Sequence, residues 1–162
     1  MDYVMCAVLT GAGATAVMDL WTVARQQLFG IPFGYGLVGR WLAYLPRGRF
    51  RHDPIAASPA VHGERLIGWT AHYVIGIAFA AVLLAVWGLE WARHPTLVPA
   101  LIVGIGSVAA PFLVMQPGMG AGIAASRTPR PGAARFQSLV THGIFGLGLY
   151  AAGWITTLVY TF

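Results

Sequence analysis

LIGWTAHYVIGIAFAAVLLAVWGL, residues 66–89, holds neither an acid nor a lysine nor an arginine. As a helix rising ~1.5 Å per residue, such a run is long enough to cross a hydrocarbon core of ~30 Å. Three runs of the same kind accompany it, from Tyr3 to about Leu28, from Leu97 to Met115 and from Leu139 to Tyr160. They predict an all-α, polytopic membrane protein with four transmembrane helices, residues 1–162 forming one transmembrane domain. The composition agrees, with 57% hydrophobic residues against 9% charged. Ten basic and five acidic side chains cannot cover the surface of a 17.3 kDa water-soluble globule. Asp2 stands where a cleavable signal needs a basic flank, and Asp19 and Arg25 interrupt the first run, so it is expected to stay as a span. Pro95 and Pro99 suit the start of the third helix, and Pro111 is expected to kink it near its end.

The net charge of +5 comes wholly from arginine on the basic side. The absence of lysine excludes a P-loop lysine and any Schiff-base cofactor chemistry. The one cysteine, Cys6, allows no internal disulfide and no cysteine-pair metal site, and reads as a packing residue. Nine of the ten arginines fall on one side of the expected membrane: Arg25, Arg40, Arg47, Arg49, Arg51 and Arg65 around the first connection, and Arg127, Arg130 and Arg135 in the third. Only Arg93 lies in the second connection. The positive-inside rule therefore places residues 30–63 in the cytoplasm and turns both termini away from it. This topology accounts for the basic charge without a nucleic-acid partner. Trp87, Trp91, Trp154 and Tyr160 suit the outer interfacial belt. Leu37, Val38, Trp41, Leu42 and Leu45 recur at helical spacing, as in a short helix lying in the cytoplasmic interface. His52 and His62 read as solvated loop residues.

The halves carry an internal echo. Gly11-Ala-Gly13-Ala-Thr-Ala16 parallels Gly104-Ile-Gly106-Ser-Val-Ala109, while Arg65, His72 and Gly76 recur at the same spacing as Arg135, His142 and Gly146. A tandem duplication of a two-helix hairpin would put the two histidines in equivalent positions. The first glycine run also matches a dinucleotide-binding pattern, but the following residues lack the alternating strand and helix that fold requires.

Asp19, His72 and His142 are the plainly ionisable residues deep within the spans, each ~10 to ~14 Å from the cytoplasmic ends. Such groups are costly in lipid unless paired, so they form a candidate intramembrane polar site. Each shares a four-residue stripe with small residues: Gly11 and Thr15 for Asp19, Gly68 and Gly76 for His72, Gly146 and Gly153 for His142. Three functions use these atoms. Imidazoles beside a carboxylate suit a proton relay for passage or transport of an ion or small solute. Two imidazoles and a carboxylate also suit a transition metal, or the two histidines a b-type haem, in a membrane redox protein. A non-catalytic accessory subunit would use the small-residue faces for partner helices, and because four spans make a thin wall around any pathway a homo-oligomer is also expected. Gln116, Met115 and Met119 are expected at a cytoplasmic entrance. The glycine-rich stretch ending at Gly122, with Arg127 and Arg130 after it, could meet an anion or a lipid headgroup, but a flexible helix exit with positive-inside arginines is the preferred reading.

Gly13-Ala-Thr-Ala-Val-Met-Asp19-Leu-Trp21, Tyr35-Gly-Leu-Val-Gly-Arg-Trp41, Pro46-Arg-Gly-Arg-Phe-Arg-His-Asp53, Gly68-Trp-Thr-Ala-His72-Tyr73, Met115-Gln-Pro-Gly-Met-Gly-Ala-Gly122 and His142-Gly-Ile-Phe-Gly146 together carry a resemblance. Over nearly its whole length the chain resembles the small bacterial inner-membrane proteins grouped as domain of unknown function 2938. The resemblance implies a four-span membrane protein and supplies no activity, so no residue role follows from it.

Overall fold

A computed structural model describes residues 2–30 and 34–159. Tyr160, assigned above to the interfacial belt, lies outside them. Five helices carry the fold: α1 (Tyr3–Phe29), α2 (Gly36–Tyr44), α3 (Glu64–Arg93), α4 (Leu97–Gly118) and α5 (Pro131–Val159), and no strand occurs among the described residues. All but α2 are long and apolar enough to cross a membrane, which makes the chain a multi-pass membrane protein.

Local chemistry sets the helix ends. Asp2 Oδ1 accepts the Met5 N–H at 2.8 Å to cap α1, which stops at Gly30 in the left-handed region. α5 begins at Pro131, ahead of the apolar run, because proline suits the first helical turn. Pro111 lacks the N–H that an α-helix would use, and α4 answers with a π turn over Pro111–Met115 in which the Gln116 N–H reaches the Pro111 carbonyl. The helix thereby continues to Gly118, past the expected end at Met115.

By its contacts the chain divides into two compact units. The first takes the described residues of 1–31, 73–107 and 139–162 and is a bundle of segments of the four long helices. Its core is small-residue rich, with Cys6, Ala14, Ala80, Leu83, Leu84 and Leu149 essentially inaccessible, while Leu20, Val86, Val98, Ile155 and Leu158 face outward. Apolar side chains outside and alanine inside is the arrangement lipid favours, since helix association there depends on close backbone approach. A Cβ on Gly11 would fall 2.5 Å from the Ile77 Cα, and one on Gly104 would collide with the backbone of Gly146. Thus α1 meets α3, and α4 meets α5, through the glycines that echo one another in sequence. Tyr3 adds a hydrogen bond to the Ala81 carbonyl, and the buried Thr15 and Thr156 hydroxyls return to the carbonyls of Gly11 and Ala152, four residues earlier. Trp91 departs from its expected place in the belt. It is 4% exposed and donates its indole N–H to the Thr96 carbonyl at 3.1 Å, because the tight turn between α3 and α4 folds over it.

The second unit takes the described residues of 32–72 and 108–138. Its centre is the Arg40 guanidinium, which forks onto Glu64 at 2.8 and 2.9 Å and donates to the Ser58 carbonyl at 2.9 Å. Hydrogen bonding to Glu64 raises the Arg40 guanidinium above its already high ordinary value, so it stays cationic. Arg40 is therefore a structural hub as well as one of the topology-setting arginines. Its fork is possible because α2 lies directly on the start of α3: a Cβ on Gly39 would overlap the Glu64 carbonyl. Trp41 and Tyr44 of α2 bury against Ile55, with Met115 and Met119 packed alongside. The apolar face of α2 is thus covered largely by protein, which modifies the expectation of a helix resting in the lipid interface. Strand-like bonds tie the two loops together, His52 N–H to the Gly118 carbonyl at 2.9 Å and Ile55 N–H to the Met119 carbonyl at 3.0 Å. His52, expected to be solvated, is 6% exposed for this reason, whereas His62 is exposed.

Candidate functional site

Each of the three intramembrane ionisable residues is half-buried and bonded to a hydroxyl. Within the first unit, Tyr73 of α3 donates its phenol O–H to Asp19 Oδ2 of α1 at 3.0 Å. The glycine contact explains the reach. Gly76 lies one turn beyond Tyr73, and a Cβ there would strike the Thr15 hydroxyl one turn before Asp19, so only glycine lets the backbones approach closely enough for this bond. A carboxylate in such surroundings needs donors, and a phenol is one that can also pass a proton.

In the same unit, Ser107 of α4 bonds His142 of α5. The Ser107 hydroxyl, 2% exposed, donates to the Gly104 carbonyl at 2.6 Å and lies 2.8 Å from His142 Nδ1. A hydroxyl has one proton to give, and here the carbonyl takes it. Its oxygen therefore accepts from Nδ1–H, which assigns the neutral imidazole to the tautomer whose Nε2 is the basic nitrogen. The Gly104–Gly146 contact positions this pair, with His142 one turn before Gly146.

His72 belongs to the second unit together with Tyr35, which precedes α2. The Tyr35 hydroxyl and His72 Nε2 share a hydrogen bond of 2.7 Å, and the rings stack with centroids 4.1 Å apart at 25°. Trp69 packs edge-on to Tyr35 at 4.9 Å, completing an aromatic wall around the imidazole. Gly68 touches the Tyr35 backbone so closely that any side chain there would displace it.

The hydroxyl partners Tyr73, Ser107 and Tyr35 were not legible as site residues. Tyr35 and Tyr73 occur within the motifs that carry the family resemblance, and Ser107 within the echoed glycine run, but nothing in their spacing singles them out. Among the described residues, no group of three His, Cys, Asp or Glu side chains is placed to hold a metal ion. Met115 and Met119 serve the apolar cluster around Trp41, and the buried Gln116 Oε1 has no hydrogen-bond partner among the described residues. Arg127 lies 4.0 Å from Asp53 with both side chains exposed, and Arg130 is exposed.

The family model described as protein of unknown function (DUF2938) matches residues 8–156, nearly the whole chain, and the protein belongs to that family. No curated protein and no solved structure matches it.

Proposed function

We propose that this member of the DUF2938 family supports proton-linked passage of an ion or small solute across the bacterial inner membrane, with both termini periplasmic and Asp19, His72 and His142 as the proton-carrying groups. The observation that carries this reading is the phenol of Tyr73 on the carboxylate of Asp19 inside the helical bundle. An intramembrane carboxylate is expensive to keep, and a partner that only fixed packing need not be able to exchange protons. The two histidines fit the same scheme, since each has one ring nitrogen on a hydroxyl and imidazole titrates nearest neutrality of the side chains. The π turn in α4 adds a local departure from regular helix of the kind that often accompanies function in membrane spans.

The test uses the purified chain in vesicles containing a pH-sensitive dye, with an inward-driving potassium diffusion potential. Wild-type vesicles acidify faster than empty ones, and Asp19→Asn returns the rate to the empty-vesicle level while the protein remains folded. Wild-type vesicles no faster than empty ones, or an unimpaired Asp19→Asn variant, would falsify the proposal.

A further inference from the structure

We infer that the second unit contains a binding site for a phosphate group, separate from the intramembrane residues. Both connecting loops contribute to a cavity of about 660 Å³ whose wall includes Arg49, Arg51, His52, Asp53, Ser126 and Arg127. That volume falls within the ~300–1,000 Å³ typical of small-molecule sites. Three arginines and one aspartate line it, leaving an excess of positive charge, with the Arg49 guanidinium also lying over the Tyr44 ring at 5.5 Å. Asp53 offsets little of it, because its contact with Arg127 is 4.0 Å long and both groups are largely in solvent. Guanidinium forks match the paired oxygens of a phosphate better than a spherical halide.

His52, part of the same wall, is 6% exposed, holds Ser58 Oγ through Nδ1 at 2.8 Å, and has no hydrogen-bond partner for Nε2. That nitrogen is closed off from the cavity by protein, so His52 serves to anchor the wall rather than to contact a ligand. The wall is also held in place rather than formed by loose loops. The His52 N–H is fixed on the Gly118 carbonyl, and the Arg127 N–H on the Ala121 carbonyl at 2.8 Å. Gly120, with φ +93°, lies so near the His52 carbonyl that a Cβ would fall 2.5 Å away. Between these anchors, Ala124 and Ala125 keep positive φ values of 46° and 58°, a conformation that alanine adopts only when its surroundings impose it. The ligand chemistry is a phosphate monoester, presented either by a membrane lipid or by a soluble compound.

The experiment follows the thermal midpoint of the full chain in maltoside micelles at fixed pH and ionic strength. One arm titrates inorganic phosphate in exchange for chloride, and the other adds phosphatidic acid, with phosphatidylcholine for comparison. A rise with inorganic phosphate identifies a soluble ligand, and a rise with phosphatidic acid alone identifies a lipid headgroup. In either case Arg51→Gln and Arg127→Gln should raise the half-saturating concentration about tenfold or more, the loss of one charge-assisted hydrogen bond. Both arginines are exposed, so neither substitution removes a packed side chain. Arg130→Gln, outside the cavity wall, should respond like wild type. The inference is overturned if neither arm raises the midpoint, or if Arg51→Gln and Arg127→Gln respond as wild type does.

Discussion

In the α1–α3 pair, Gly11 lies against Gly76 and Ile77, and one to two turns away Tyr73 reaches Asp19. In the α4–α5 pair, Gly104 lies against Gly146, and one turn away Ser107 reaches His142. The backbone device is similar in both, two helices drawn together where glycine leaves room for the neighbouring backbone, glycine on glycine in α4–α5 and glycine on Ile77 and Thr15 in α1–α3. The chemistry placed on it differs: an acid with a phenol in one pair, an imidazole with a serine hydroxyl in the other. Close approach in lipid thus fixes where a polar pair can form without fixing which pair it is. Among the described residues only α4 contains a π turn, so the pairs also diverge in backbone beyond the shared contact.

If the two glycine contacts are equivalent, Gly11→Val and Gly104→Val should each cost about 2–3 kcal/mol by forcing the helices apart. Unfolding titrations in mixed micelles measure this, and a neutral result at either position would break the equivalence. Ser107→Ala should cost less, about 0.6–1.7 kcal/mol for an interhelical hydrogen bond in a membrane, and should lower vesicle acidification without abolishing it. A flux as low as that of Asp19→Asn would erase the distinction between the acidic and the neutral pair. The smallest effect expected lies outside both pairs. Trp41→Phe removes the indole N–H bond to the Phe50 carbonyl, 2.8 Å long, at about 1 kcal/mol. It should increase proteolysis at Arg49 and Arg51 while leaving acidification at the wild-type rate; altered flux would mean that the loops govern passage.

The long helices were legible in the sequence because their apolar runs are longer than any soluble helix needs, and Pro111 marked where α4 would deviate. Asp19, His72 and His142 stood out for the reverse reason, as ionisable groups in stretches that exclude them. Their partners did not, because tyrosine and serine are ordinary in such helices and their roles depend on which helices pack together. The second unit was the least legible. Arg40 carried a topology signal that concealed its fork onto Glu64, and His52 looked solvated because nothing local predicts that residues 118–120 would cover it. A loop ordered by contacts distant in sequence leaves no period to read.

Tyr73→Phe removes a single oxygen and with it the bond to Asp19, leaving the glycine contact and the carboxylate in place. Its rate of vesicle acidification, taken per folded molecule, tests most directly whether that bond conducts protons or only joins helices. The account predicts a loss of about tenfold or more, the factor that ~1.4 kcal/mol produces, alongside the same stability cost of about 0.6–1.7 kcal/mol as other interhelical hydrogen bonds here. Acidification at the wild-type rate in the folded variant would contradict it.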